Sequence, residues 1–140
     1  MKGKVVWQEG LTFEADLNGF NFIIDAEESV GGRNLGPAPK GLTLISLAGC
    51  TGMDVISILK KMRVNVDTFE VLTDAKLTDE HPKRYTDIKV IYKLTGEDIP
   101  YEKVKKAVSL SEDRYCGVSA TLKGTVNIEN EIYINDKLVN

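Results

Sequence analysis

The chain has 140 residues, 42% of them hydrophobic and 28% charged, with a formal net charge of −3 and a pI near 5.2. This is enough sequence for one ordinary domain with a buried core, so residues 1–140 read as a single domain. Lysines are interspersed with acids, which excludes the basic stripe of a nucleic-acid binder.

No apolar stretch follows Lys2 and Lys4, so the start of the chain does not read as a signal peptide. The longest apolar segment, 42–59, is interrupted by Gly49, Gly52 and Asp54. A membrane span needs about 20 apolar residues without such breaks, so this segment reads as a buried helix and no membrane partner is expected. Two cysteines without a leader point to the reducing cytoplasm.

In chain order, residues 2–7 predict a first strand. Leu11, Phe13, Ala15 and Leu17 alternate with polar neighbours, the period of a half-buried strand. Asn18-Gly19 supplies a type I′ turn, and Phe20, Phe22 and Ile24 resume the alternation, giving an antiparallel meander. Residues 26–38 read as a loop. Pro39 suits a helix start, where its missing N–H costs nothing. The helix is expected to run to about residue 63, its last turn carrying Lys60, Lys61 and Arg63 toward the negative end of the dipole. Leu44, Ile45, Leu47, Ala48, Ile56 and Leu59 cover more than one side of it, the pattern of a central, buried helix.

Phe69, Val71, Thr73 and Ala75 predict the next strand, 78–83 a loop, and Ile88, Val90, Tyr92 and Leu94 a further strand. Asp98-Ile99-Pro100 opens a second helix with Val104, Ala107, Val108 and Ser111 on its inner stripe. Residues 113–123 are ambiguous, with a short helical turn as the reading. Val126, Ile128, Ile132 and Ile134 form the last strand. The order of elements is that of an α+β domain. One chain of this size covers such a long apolar helix poorly, and each uncovered large aliphatic side chain forfeits about 1.5–3 kcal/mol. An obligate homodimer is therefore expected, with a monomer whose own sheet wraps the helix as the alternative.

Only two cysteines are present, Cys50 in the long helix and Cys116 near the end of the chain. There is no Cys-x-x-Cys, and the single histidine, His81, lies beside Pro82 in a polar loop, so the spacing predicts no metal site and no cofactor. Each cysteine could serve simply as a small buried hydrophobe, since free cysteine is among the most buried residue types. The alternative is thiol redox chemistry. Cys50 as thiolate attacks a peroxide and becomes a sulfenic acid, Cys116 condenses with it to a disulfide, and an external dithiol resets the pair. Leu47, Met53 and Tyr115 are candidate walls of an apolar substrate pocket. Asp54 lies four residues beyond Cys50, on the same helix face, where a carboxylate opposes thiolate formation. Its pairing with a base such as Lys60 or Arg33 stays open.

Gly36-Pro37-Ala38-Pro39, followed by Leu42 and Leu47-Ala48-Gly49-Cys50-Thr51, resembles the central helix of the OsmC/Ohr family. Cys116-Gly117-Val118-Ser119, after an amphipathic helix, resembles its second cysteine motif. The resemblance implies an OsmC-like fold, with antiparallel sheets around long central helices in an intertwined homodimer. It also implies a thiol-dependent peroxidase of the oxidative stress response, favouring organic hydroperoxides, with Cys50 peroxidatic, Cys116 resolving and a lipoyl-type dithiol as reductant. The chain departs from the peroxidase branch at two points. Lys40 stands where that branch has a glutamate after the proline, and no arginine precedes Arg33 in the early strands. Arg33, in the loop before the helix, Glu9 and Asp54 are the candidate supporting residues. These departures bring the chain closer to the OsmC-like branch, for which a non-peroxidatic dimer that binds a small ligand or senses redox state is the alternative function.

Overall fold

The computed structural model describes residues 1–140, which divide into two compact units, 1–44 and 45–140. In the first unit, β1 (Gly3–Glu9), β2 (Thr12–Leu17) and β3 (Phe20–Ile24) form an antiparallel sheet in the order β1-β2-β3. The β2–β3 turn takes positive φ at both Asn18 (53°) and Gly19 (86°), as a type I′ turn requires. The alternation sets the register, pairing Phe13 with Ile24 and Ala15 with Phe22. It does not deliver burial throughout: all of β1 is exposed, and Phe20 is 78% exposed. The following loop contains a one-turn 3-10 helix, Glu28–Val30, where plain loop was expected. Gly36 is required by close approach, because a Cβ there would meet the Ile23 carbonyl oxygen at 2.1 Å.

Helix α1 (Pro39–Lys61) begins at the expected proline. It stops two residues early because Arg63 adopts φ 57°, so that Arg63 N–H donates to the Lys60 carbonyl and Val64 N–H to the Leu59 carbonyl. That pair of hydrogen bonds is a Schellman stop, which satisfies carbonyls the helix leaves without partners.

The second unit contains most of α1 and a four-stranded sheet of β4 (Thr68–Leu77), β5 (Tyr85–Thr95), β6 (Asn127–Ile134) and β7 (Lys137–Leu138), in that order. Between β5 and β6 come α2 (Tyr101–Leu110), a single π-helical turn (Ser111–Tyr115) and α3 (Gly117–Leu122). This resolves the ambiguous segment into two helical pieces. It also departs from the expected antiparallel sheets at one pairing. β4–β5 and β6–β7 are antiparallel, but β5–β6 is parallel, pairing Ile88 with Ile128 and Tyr92 with Ile132. The helical crossover from β5 to β6 is the kind of connection that parallel neighbours require.

The core of this unit follows the periodicities closely. Ile88, Val90, Tyr92 and Leu94 are all buried on one face of β5, and Val104, Ala107, Val108 and Ser111 form the buried stripe beginning on α2. On α1 the buried stripe is Leu47, Thr51, Val55 and Leu59, four residues apart, whereas Ile45 (67%) and Met53 (74%) are exposed. By length and composition alone α1 could cross a membrane. Its inner stripe is instead packed within the protein.

Candidate functional site

The second unit brings the two cysteines together. Cys50 projects from the middle of α1 and is half-buried, and Cys116 stands immediately before α3 and is buried. Their sulfur atoms and a carboxylate oxygen of Asp54 all lie within 4.8 Å of one another. Asp54 is near the sulfurs because it shares a helix face with Cys50 one turn away. Cys116 is fixed at both ends. Its N–H donates to the Ser111 carbonyl (2.8 Å), and its Sγ accepts the Ser119 N–H (3.3 Å), so the thiol caps α3 as a Ser or Thr side chain would. Burial pushes the Cys116 thiol up to about 11; the Ser119 N–H pulls the other way, and the neighbouring Cys50 sulfur adds to the rise.

A buried chain of hydroxyls supports Asp54. Ser111 Oγ donates to Asp54 Oδ2 (2.9 Å), and Thr51 Oγ1 lies 2.9 Å from Ser111 Oγ and 2.8 Å from the Tyr92 hydroxyl. Each hydroxyl has one proton to give. With the Ser111 proton on Asp54, Thr51 donates to Ser111 and Tyr92 donates to Thr51, so the chain has a direction ending at the carboxylate. Burial pushes the Tyr92 phenol up to about 12, which keeps it a donor at neutral pH. Asp54 is thus held by Ser111, which answers the open question of its partner. Ser111, Thr51 and Tyr92 were not legible as site residues. Their signal was polar groups at core positions: Ser111 on the α2 stripe and Tyr92 on the apolar face of β5.

Arg33 and Glu9, the other supporting candidates, meet in the first unit. Arg33 Nη1 pairs with Glu9 Oε2 at 3.2 Å, and its Nε and Nη2 donate to Thr12 Oγ1 at 3.2 and 2.9 Å. Thr12 in turn donates to Asp25 Oδ2 (2.9 Å), and the Asp25 carboxylate accepts the N–H groups of Ala26, Leu35 and Arg33. Burial by itself would raise the Asp25 carboxyl, but these hydrogen bonds hold it below its ordinary value. An Arg–Glu pair therefore exists in space although the sequence positions did not suggest one.

A cavity of about 340 Å³ adjoins the thiol site, sharing Asp54 with it and otherwise lined by Ser57, Ile58, Lys61, Met62, Leu110 and Tyr115. Tyr115 is thus a wall, as expected. Leu47 is not, because it is only 1% exposed in the core. Met53 lines a different feature, an open apolar groove between α1 and β4 with Ile45, Gly49, Gly52, Phe69 and Val71. A larger cavity, about 510 Å³, is bordered by polar groups including Arg63, Asp67, Glu97 and Lys103, and holds none of the candidate residues.

The arrangement is that of an α+β class in which a long helix and a later helix start bring two thiols together. Within it, the model of the OsmC-like protein family matches residues 31–131, and the chain belongs to that family. It is similar to protein YhfA of Escherichia coli strain K12, with 34% identity over 129 residues, covering 91% of this chain and 93% of that one. Among solved structures, a hypothetical protein from Aquifex aeolicus VF5 is similar at a TM-score of 0.83 and 27% identity, covering 96% of this chain and 95% of that one. An organic hydroperoxide resistance protein from Legionella pneumophila shares the fold at a TM-score of 0.71 and 13% identity, over 94% of this chain and 95% of that one.

Proposed function

We propose that this protein is a thiol-dependent peroxidase that reduces organic hydroperoxides through Cys50 and Cys116. The observation that carries the reading is the approach of the two sulfurs and the Asp54 carboxylate to within 4.8 Å. Cys50, the more accessible thiol, attacks the distal peroxide oxygen. The O–O bond breaks, an alcohol leaves, and Cys50 becomes a sulfenic acid. The Cys116 sulfur then attacks the Cys50 sulfur. The S–O bond breaks, the Cys116 proton passes through Asp54 to the departing hydroxide, and water and a disulfide result. A lipoyl-type dithiol restores the pair by exchange. The Ile58, Met62, Leu110 and Tyr115 walls suit the organic part of the substrate. Membership of the family supports the reading, and so does the fold shared with a protein named for hydroperoxide resistance.

The test is intact mass after one equivalent of cumene hydroperoxide. Loss of two hydrogens is expected, abolished in Cys50→Ser, with an oxygen adduct trapped in Cys116→Ser. Unchanged mass with both thiols still titratable would overturn it. Such a result would favour the second reading, a non-peroxidatic dimer that binds a small ligand or senses redox state. One observation supports that alternative: the charged group within 4.8 Å of both sulfurs is a carboxylate, Asp54.

The working form is read as a cytoplasmic homodimer built from one domain, residues 1–140. The family match crosses the division between the two units, which supports the single domain. The exposed Ile45 and Met53 and the apolar groove beside them support a second copy as the cover for α1. Light scattering giving the mass of one chain would refute the dimer.

A further inference from the structure

We propose that Cys50 Sγ, Cys116 Sγ and the Asp54 carboxylate form a three-ligand site for a borderline-soft divalent cation of the zinc class, open in the reduced protein and lost when the sulfurs bridge. The site itself does not depend on peroxidase activity; only its loss to peroxide rests on that reading. Local spacing hid it, because one sulfur comes from α1 and the other from the start of α3. In space the three ligand atoms lie within 4.8 Å of one another. A tetrahedral zinc ion with sulfur ligands at about 2.3 Å holds them about 3.8 Å apart, so occupancy needs only a small contraction.

The surroundings are those of a built site. Cys50 and Asp54 sit one turn apart on one rigid helix. Ser111 fixes the other ligands, donating from Oγ to Asp54 Oδ2 and accepting the Cys116 N–H at its carbonyl. Thr51 and Tyr92 back that serine from the core. This is the outer hydrogen bonding that orients metal ligands. The Ser119 N–H donates to Cys116 Sγ at 3.3 Å and fixes its position. Two thiolates and a carboxylate bring three negative charges together, and a divalent cation offsets two of them. Thiolate donors select zinc-like ions over magnesium or calcium. Three protein ligands leave a fourth position for water.

Binding releases two thiol protons and changes no oxidation state. A hydroperoxide would empty the site. The two sulfurs give up two electrons and form the disulfide, the O–O bond takes those electrons, and with two protons from solvent the products are an alcohol and water as the cation departs.

The test is anaerobic titration of the reduced full-length protein with Co²⁺ and, separately, Zn²⁺. One equivalent per chain should bind, with sulfur-to-cobalt charge-transfer absorption and the visible bands of a tetrahedral ion. Asp54→Asn, which keeps both thiols and is checked for folding by circular dichroism, should weaken binding at least about tenfold. Tyr92→Phe should weaken it less. Diamide, which forms the disulfide without peroxide, should abolish it. Absence of charge transfer with both thiols titratable would overturn the site, as would Asp54→Asn affinity equal to that of the unaltered protein. Either failure, beside an intact loss of two hydrogens with cumene hydroperoxide, would leave the peroxidase reading standing.

Discussion

Each unit builds a hydrogen-bonded cluster around an aspartate, and the two clusters use the carboxylate differently. In the first unit Asp25 is saturated by Thr12 and three backbone N–H groups, and Thr12 ties it to Arg33 and Glu9. Its negative charge is consumed in holding a loop. In the second unit Asp54 is oriented by one hydroxyl chain from the core, and two sulfurs stand within reach of its oxygens. A carboxylate whose lone pairs are spent on backbone donors is structural. One held by a directed chain beside two sulfurs has the geometry that the proposed proton transfer and cation site both use.

Substitutions in the two units should separate their roles. The largest stability effect is expected for Gly36→Ala, which drives a methyl group into the Ile23 carbonyl and should cost more than about 2 kcal/mol by thermal or urea unfolding. Ser111→Ala comes next. It leaves Thr51 short of a partner and Asp54 unsupported, for about 1–3 kcal/mol, and it should also slow disulfide closure in stopped-flow assays. A purely structural serine would lower stability alone.

The two clusters should also separate by pH. The folded Asp25 carboxyl lies below its ordinary 3.8, so its ionised form stabilises the fold above that value. That contribution is lost as pH falls through the folded value, and Asp25→Asn should flatten the acid limb of the stability profile. Tyr92 moves the opposite way, from 10 to about 12. Its neutral phenol contributes stability below pH 10, and the contribution is lost as pH rises toward 12. Tyr92→Phe should flatten the alkaline limb. The smallest effect is expected for Glu9→Gln. Its ion pair with Arg33 is solvent-exposed, so removal should cost about 0.2–1 kcal/mol and fade with salt.

Where burial and periodicity coincide, the elements were legible. β5 and the α2 stripe match residue for residue, and Asn18-Gly19 marks its turn. The alternation through β2 and β3 predicted burial that Leu17, Phe20 and Phe22 do not have. The parallel β5–β6 pairing was hidden because helix and strand signals do not reveal which strands become neighbours. Cys50 and Cys116 were readable as a candidate redox pair because the chain has only two cysteines, but nothing in their local contexts brings them together. Asp54 was visible at one helical turn from Cys50, but its hydroxyl chain joins three elements and leaves no local trace. The Arg33–Glu9 pair was missed for the same reason.

The proposed peroxidase requires Cys50 and Cys116 to act as one redox unit. It is tested most directly by non-reducing peptide mapping after a single equivalent of hydroperoxide. An intrachain peptide pair joining Cys50 to Cys116 is expected, formed at the rate of peroxide loss. Peroxide loss with Cys50 over-oxidised and Cys116 still a free thiol would contradict it.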